Sequence, residues 1–320
     1  MFNKVPTVLR SKEIIDKCFS RAARITAPEG INRTQGAKTQ CIDKVSTVES
    51  IAVAYLKKLV RKFPSTDHLH PFYLDLLDMS FDIDAYKMSL GKLQWSHEKL
   101  VELATKSIKS LKRKQKIRDM NTVVREYYGR FASVIEDLSS DLEMLSRCRD
   151  QMKRIPEIDV NLPTFLIAGM PNVGKSSLVA SLSTARPRVA SFPFTTKNIS
   201  IGYLQIGHEK VQVIDTPGVL DRPMTDRNEM EKKAISALNK IDGKILFLFD
   251  YSDTSGYTTE SQEALYREVV EASGKDIIRI QTKIDMSQGA REDIAISSVT
   301  GEGLGDLKER LAGLLEVKTS

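Results

Sequence analysis

Apolar residues in the first half of the chain recur at intervals of three and four. Phe131, Val134, Ile135, Leu138, Leu142 and Leu145 form one stripe on a long helix, and a weaker series runs through Leu90, Leu93, His97, Leu100 and Ala104, beside Trp95. Such spacing gathers apolar side chains on one helical face, which must pack against a neighbour. A bundle of long helices is expected. The second half reads differently. Short apolar runs, Thr164–Ala168, Lys210–Ile214, Lys244–Phe249, Asp276–Gln281 and Asp293–Ile296, alternate with helical stretches around Leu178–Leu182, Ala234–Leu238 and Leu304–Leu315. That alternation predicts a doubly wound, mostly parallel sheet with helices on both faces.

The fold class expected is thus α+α/β, a helical bundle followed by a nucleotide-binding α/β domain. A length of 320 residues leaves about 160 on each side of the Arg154–Glu157 stretch, enough for a core in each half. The expected domains are 1–158 and 159–320, joined through Ile155–Pro163, which holds two prolines.

Charge separates the halves further. The net charge of +6 conceals 29 Lys+Arg against 21 Asp+Glu in residues 1–160, and 19 against 21 in residues 161–320. Lys106, Lys109, Lys112, Arg113, Lys114, Lys116 and Arg118 follow one another without an intervening acid. A polyphosphate backbone attracts such a cluster through counterion release, although a solvated helix face would also account for it. Cys18, Cys41 and Cys148 are odd in number and lack C-x-x-C spacing, so a reduced cytoplasmic protein without structural zinc is expected. His68 and His70 have no partners at ligand spacing and are read as structural or partner contacts. No apolar stretch approaches the length of a membrane helix, and a soluble, membrane-free chain follows.

The chemistry lies in short motifs of the second half. Gly169-Met170-Pro171-Asn172-Val173-Gly174-Lys175-Ser176, with Ser177 following, fits G-x-x-x-x-G-K-[ST] between a strand and a helix. Backbone N–H groups of such a loop cradle phosphates, Lys175 supplies a charge to the β and γ oxygens, and Ser176 can ligate magnesium. At the end of the next strand stands Asp215-Thr216-Pro217-Gly218. Asp215 there holds the magnesium shell, and the Gly218 N–H can sense a γ-phosphate. Between the two lies Phe192-Pro193-Phe194-Thr195-Thr196-Lys197, suited to a loop that orders on a bound triphosphate. Thr196 is the expected magnesium and γ-phosphate ligand, with Thr195 second.

Base recognition has two candidate tetrapeptides. A guanine N1–H and N2–H2 edge can donate two hydrogen bonds to a carboxylate. Asn239-Lys240-Ile241-Asp242 matches [NT]-K-x-D by its letters, but it ends a helical pattern and precedes a strand. Thr282-Lys283-Ile284-Asp285 follows a strand, where open α/β sheets bind ligands. Thr282, Lys283 and Asp285 are therefore assigned to the base, joined by Ser297-Ser298-Val299 after the last strand, where a backbone N–H can approach the guanine O6. Together the motifs predict a GTPase that turns GTP into GDP and phosphate.

The run Gly-x-Pro-Asn-Val-Gly-Lys-Ser, the Pro-Phe-Thr-Thr segment and Asp-Thr-Pro-Gly resemble the Obg-related translation-factor GTPases. Phe2–Thr7, His70–Tyr73 and Tyr86–Gly91 resemble the nucleolar GTP-binding protein family within that group. The resemblance covers the whole chain. It implies a helical N-terminal domain, a G domain, and binding to precursors of the large ribosomal subunit through rRNA and ribosomal proteins. It also implies a nucleolar location in a eukaryote and a monomer when free. The chain stops at the last G-domain helix, without the long extension of eukaryotic members, so a short archaeal-type member is expected. A translation- or stress-related GTPase working through protein partners is the alternative, and an RNA-binding scaffold with structural GTP a third.

Val219 stands where many small GTPases place a glutamine that orients water. Water positioning must then come from the Thr196 backbone, a ribosomal partner or a potassium ion. Asn172 sits where related potassium-dependent GTPases coordinate that ion, or else it only stabilises the loop. Thr196, Gly218 and Lys175 are the expected catalytic residues; Ser176, Thr196 and Asp215 are the expected metal ligands.

Overall fold

The computed structural model describes residues 2–30, 32–192, 198–216, 220–222, 227–252 and 256–316. Its contacts divide the chain into two compact units, 1–67 with 81–153, and 68–80 with 154–320.

The first unit is helical. It comprises α1 (Ser11–Ala23), α2 (Arg33–Lys62), α4 (Ile83–Arg113), α5 (Ile117–Glu136) and α6 (Ser139–Met152). Side-chain caps fix two of the starts: Asn32 accepts from the Thr34 N–H at 2.9 Å, and Asp82 accepts from the Ala85 N–H at 2.9 Å. The core is built from Val45, Val48, Leu56 and Leu59 on α2, Leu93, Leu100 and Leu111 on α4, and Phe131 and Ile135 on α5. Each such side chain contributes about 1.5–3 kcal/mol by leaving water. Cys18, Cys41 and Cys148 are free thiols buried in this unit, and burial pushes Cys18 and Cys148 up to about 11.

The stripe from Phe131 to Leu145 does not lie on one helix. The chain breaks at Asp137–Leu138, where Ser139 Oγ donates to the Glu136 carbonyl at 2.7 Å instead of leaving the helical ladder undisturbed. Leu138, Leu142 and Leu145 stay buried across the break, so the apolar pattern survives the interruption. Trp95 is 58% exposed and contributes little to the core.

The second unit is built on a mixed, mostly parallel sheet. Its strands are β1 (Thr164–Ala168), β2 (Arg188–Ser191), β3 (Asn198–Ile206), β4 (Glu209–Asp215), β5 (Gly243–Asp250) and β6 (Ile277–Thr282), in the order β2-β3-β4-β1-β5-β6. β2, β3 and β4 are antiparallel neighbours, whereas β4, β1, β5 and β6 run parallel. β1 is buried over its whole length, which explains an apolar run without alternation. α7 (Lys175–Leu182) packs on β3 and β4, and α9 (Thr259–Ser273) packs on β5; α8 (Glu229–Asn239) and α10 (Leu304–Glu316) complete this part.

Two expectations are corrected here. Asp293–Ile296 is no strand but one parallel bridge, Gln281 to Ala295. The Gln281 side chain holds Ser287, Gly289 and the Arg291 N–H, so the loop folds back on β6 and leaves room for a single bridge. Residues 68–80, expected with the N-terminal helices, belong to the second unit. There α3 (Pro71–Ser80), capped by His70 Nδ1 accepting from the Phe72 N–H at 3.2 Å, packs on α8. Tyr73 holds both backbone groups of Ile158, and Gln212 Oε1 accepts from the Asp159 N–H at 3.1 Å. The stretch expected as a linker is thus pinned, with Ile155 and Ile158 buried.

Candidate nucleotide site

The parallel strands β4, β1, β5 and β6 all finish at one end of the sheet, where open α/β folds bind ligands. Gly169 leaves β1 with φ 134°, and a Cβ there would lie 2.7 Å from the Leu248 carbonyl oxygen. Only glycine suits that turn. Asn172 (φ 65°) and Gly174 (φ 94°) are left-handed, and Gly174 caps α7, so the first N–H groups of this helix open onto the loop.

Lys175 is buried, and its ammonium donates to the carbonyls of Gly169 at 2.8 Å and Met170 at 2.7 Å. Its charge is thereby centred in the hollow of the loop. Register places Asp215 beside Ile167 at the ends of β4 and β1. Ser176 Oγ donates to Asp215 Oδ2 at 2.6 Å, a charge-assisted length. A hydroxyl and a carboxylate side by side are hard oxygen donors, so this pair could hold a divalent cation such as magnesium.

On the other flank, Thr282 ends β6 opposite Asp250 of β5. Thr282 is buried, and its hydroxyl lies 2.7 Å from the Val173 carbonyl and 3.1 Å from that of Phe249, tying β6 to the phosphate-loop backbone and β5. Lys283 is left-handed (φ 53°) and pairs with Asp250 at 2.7 Å. Asp285 follows in a short 3-10 turn, Ile284–Met286, and is exposed. Ser297 is buried and its Oγ accepts from the Val299 and Thr300 N–H groups at 3.2 and 3.1 Å. Gly303 lets this turn close, since a Cβ there would lie 2.1 Å from the Ala295 carbonyl oxygen. Ser181 of α7 reaches the Ser298 carbonyl at 3.4 Å, and Val299 is exposed.

The structure therefore brings together Val173, Lys175, Ser176, Asp215 and Thr282, with Ser298 joined to α7. Pro171, Asn172 and Ser177 lie in the same loop and first helical turn. Thr195, Thr196, Gly218 and Val219 lie outside the described residues. Asn239–Asp242 falls elsewhere: Asn239 ends α8 and donates to the Ala272 carbonyl at 2.9 Å, Lys240 pairs with Asp75 at 2.6 Å, and Asp242 precedes β5 at its amino end.

Sequence reasoning missed Asp250, the ion-pair partner of Lys283. An acid closing an apolar strand was its signal. It also missed the support after Asp215-Thr216-Pro217-Gly218. Asn228 and Glu231 form a capping box at the start of α8, Arg222 pairs with Glu231 at 2.5 Å, and Arg227 Nε donates to the Arg222 carbonyl at 3.1 Å. Burial holds Arg227 below its usual guanidinium range, an effect that Asp221 opposes. Asn-x-x-Glu before an apolar helix could have been read directly.

A glycine-rich loop at the end of a central strand, with helices following, defines a P-loop nucleotide-binding protein preceded by a helical domain. Comparison with known families narrows this. Residues 2–159 match a family model described as the NOG1 N-terminal helical domain, and residues 164–283 match one described as a 50S ribosome-binding GTPase. An uncharacterized protein of Methanocaldococcus jannaschii is 32% identical over 288 residues, covering 89% of this chain and 81% of its own. A probable nucleolar GTP-binding protein 1 of Dictyostelium discoideum is 30% identical over 98% of this chain, and nucleolar GTP-binding protein 1 of Arabidopsis thaliana 32% over 89%. The chain spans 50% and 43% of those two relatives. It belongs to the nucleolar GTP-binding protein family, and the part around residues 164–283 is a GTPase domain that binds guanine nucleotide. Among the described residues no helix is long and apolar enough to cross a membrane.

Proposed function

We propose that the chain is a magnesium-dependent GTPase switch in assembly of the large ribosomal subunit, hydrolysing GTP slowly alone and faster on the assembling particle. The observation that carries this reading is the convergence of Lys175, Ser176–Asp215 and Thr282–Val173 at one end of the sheet, in a chain whose relatives are named nucleolar GTP-binding proteins.

In this reading residues 171–177 wrap the phosphates and Lys175 reaches the β and γ oxygens, exchanging its two carbonyl contacts for phosphate. Ser176, Asp215 and Thr196 hold magnesium, which supplies charge neutralisation on the triphosphate. Gly218 senses the γ-phosphate. Asp285 reads the guanine N1 and N2 edge, Thr282 and Lys283 hold that turn, and the backbone at Ser297–Val299 meets O6. Water attacks the γ-phosphorus as the bond to the β-phosphate oxygen breaks, giving GDP and inorganic phosphate.

Val219 offers that water no hydrogen bond. The exposed, left-handed Asn172 fits a potassium site through its amide oxygen, and a rate that falls when sodium replaces potassium in wild type but not in Asn172→Ala would support it. A rate indifferent to the cation assigns Asn172 to loop structure. The helical unit meets rRNA through Lys106–Arg118, which wraps the α4–α5 turn. The protein works as a monomer in the cytoplasm, or in the nucleolus of a eukaryotic cell, and meets ribosomal proteins on the particle. Sedimentation with large-subunit precursors tests the reading: co-sedimentation in GTP and release in GDP are expected, and equal absence from the particles in both would refute it.

A further inference from the structure

Arg279 stands in the middle of β6, between isoleucines, and all three of its guanidinium nitrogens are engaged. Nε donates to Glu292 Oε2 at 2.9 Å and Nη2 to Glu292 Oε1 at 2.8 Å, while Nη1 donates to Glu263 Oε2 at 3.0 Å and Nη2 also reaches Glu263 Oε1. One arginine thus forks two carboxylates. Its guanidinium carbon lies over two rings, 4.2 Å from the centre of Phe249 on β5 and 4.7 Å from that of Tyr266 on α9. Tyr251 stacks on Phe249, and its hydroxyl donates to Glu292 Oε1 as well.

The two arms of this clamp lead to different places. Glu263 belongs to α9 and fastens β6 to the helix that packs on β5. Glu292 belongs to the loop that joins Thr282–Asp285 to Ser297–Val299, and its side chain is only 10% exposed. Burial works to raise the Glu292 carboxyl, yet hydrogen bonds from Arg279 and Tyr251 and the guanidinium charge hold it below its usual range. It stays an anion within the loop.

That loop has little backbone support. In place of a full strand ladder there is one parallel bridge, in which the Gln281 N–H donates to the Ile294 carbonyl at 2.9 Å and the Ile296 N–H to the Gln281 carbonyl at 2.8 Å. The Ile296 carbonyl accepts from the Ile284 N–H at 3.2 Å. Ile284 precedes Asp285 and Ile296 precedes Ser297, so both turns depend on the register of residues 294–296. Side chains supply the rest of the hold: Gln281 binds Ser287, Gly289 and Arg291, and Arg279, two residues earlier on the same face of β6, binds Glu292.

We propose that Arg279 is a positioning residue for guanine, acting through Glu292 to hold the 287–296 loop so that Asp285 and the Ser297–Val299 backbone meet the base together. The proposal rests on the reading of those two turns as the base readers. Arg279 contacts Glu263, Glu292 and the two rings, and it reaches the base only through the loop. In the same reading the phosphates meet the separate turn at Gly169–Ser176. Loss of the clamp then acts on base preference and spares phosphate affinity.

The test uses the full chain and measures affinity for GTP, for inosine triphosphate, which lacks only the 2-amino group, and for inorganic triphosphate, each in competition with a fluorescent GTP analogue. Glu292→Gln and Arg279→Met should each weaken GTP about tenfold and cut the preference for GTP over inosine triphosphate about threefold to tenfold, the scale of one hydrogen bond. Affinity for inorganic triphosphate should stay as in wild type. Arg279→Lys, a cation without the fork, should recover little. Joining the two substitutions should lower the preference no further than Arg279→Met alone, since both cut one link. Glu263→Gln, which cuts the other arm, should lower the melting temperature and leave the preference unchanged. If Arg279→Met does not fold, Glu292→Gln carries the test. A wild-type preference in Glu292→Gln would overturn the proposal. Equal losses in Glu263→Gln, or losses that extend equally to inorganic triphosphate, would also overturn it by reducing the effect to general loosening. Wild type that binds inosine triphosphate as tightly as GTP would overturn the guanine reading beneath it too, which the other results leave standing.

Discussion

The chain contains two tetrapeptides of nearly the same chemistry, Asn239–Asp242 and Thr282–Asp285, and the fold treats them as different objects. The first closes α8 and leads into the amino end of β5; its lysine pairs with Asp75 and its asparagine holds the last turn of α9. The second leaves the carboxyl end of β6, where its threonine touches the phosphate loop and its lysine meets Asp250. A carboxylate becomes a base reader only where a strand end aims it into the crevice shared with the phosphates. Letters alone favour the first, position the second.

The largest expected effect separates the two directly. Asp285→Asn should weaken GTP about a hundredfold or more, since two charge-assisted hydrogen bonds of roughly 1.5–3 kcal/mol each are lost, and it should favour XTP, whose 2-oxo group accepts from an amide. Titration with fluorescent GTP and XTP analogues checks this, and an unshifted preference would break the comparison. Lys175→Ala comes next, weakening both analogues alike by about tenfold to a hundredfold, because a phosphate contact is blind to the base. A base-selective loss there would contradict the assignment.

Thr282→Val sharpens the comparison at its structural joint. It removes the hydroxyl that two buried carbonyls share and should cost about 1–3 kcal/mol, seen as a lower melting temperature and weaker nucleotide, with Thr282→Ser recovering most of it. The smallest effects belong to the other tetrapeptide. Lys240→Ala breaks a half-exposed ion pair and should cost about 0–1 kcal/mol of stability, while Asp242→Asn should leave GTP and XTP affinities as in wild type. A shift toward XTP in Asp242→Asn would reverse the assignment.

The phosphate loop and the strand ends were readable because each depends on local pattern, and the preference for Thr282–Asp285 rests on the rule that ligands gather at carboxyl ends. Long-range facts were not. Asp250 becomes the partner of Lys283 only through the parallel register that sets it beside Thr282. The helix at Pro71–Ser80 follows helical neighbours in sequence, and only its packing on α8 and the grip of Tyr73 on Ile158 assign it to the second unit. Periodicity ran through Asp137–Leu138 because the buried face does, so the serine-assisted break left no trace in the apolar pattern.

The account joins a guanine site at Asp285 to nucleotide-controlled binding of a ribosomal precursor, and one sedimentation measurement tests both together. Asp285→Asn protein is mixed with large-subunit precursor particles in XTP, XDP, GTP or GDP, beside wild type in the same four nucleotides. The prediction is that the variant travels with particles in XTP and not in XDP or GTP, while wild type does so in GTP alone. Particle binding by the variant that still follows GTP, or that ignores the nucleotide while wild type responds, would contradict the account.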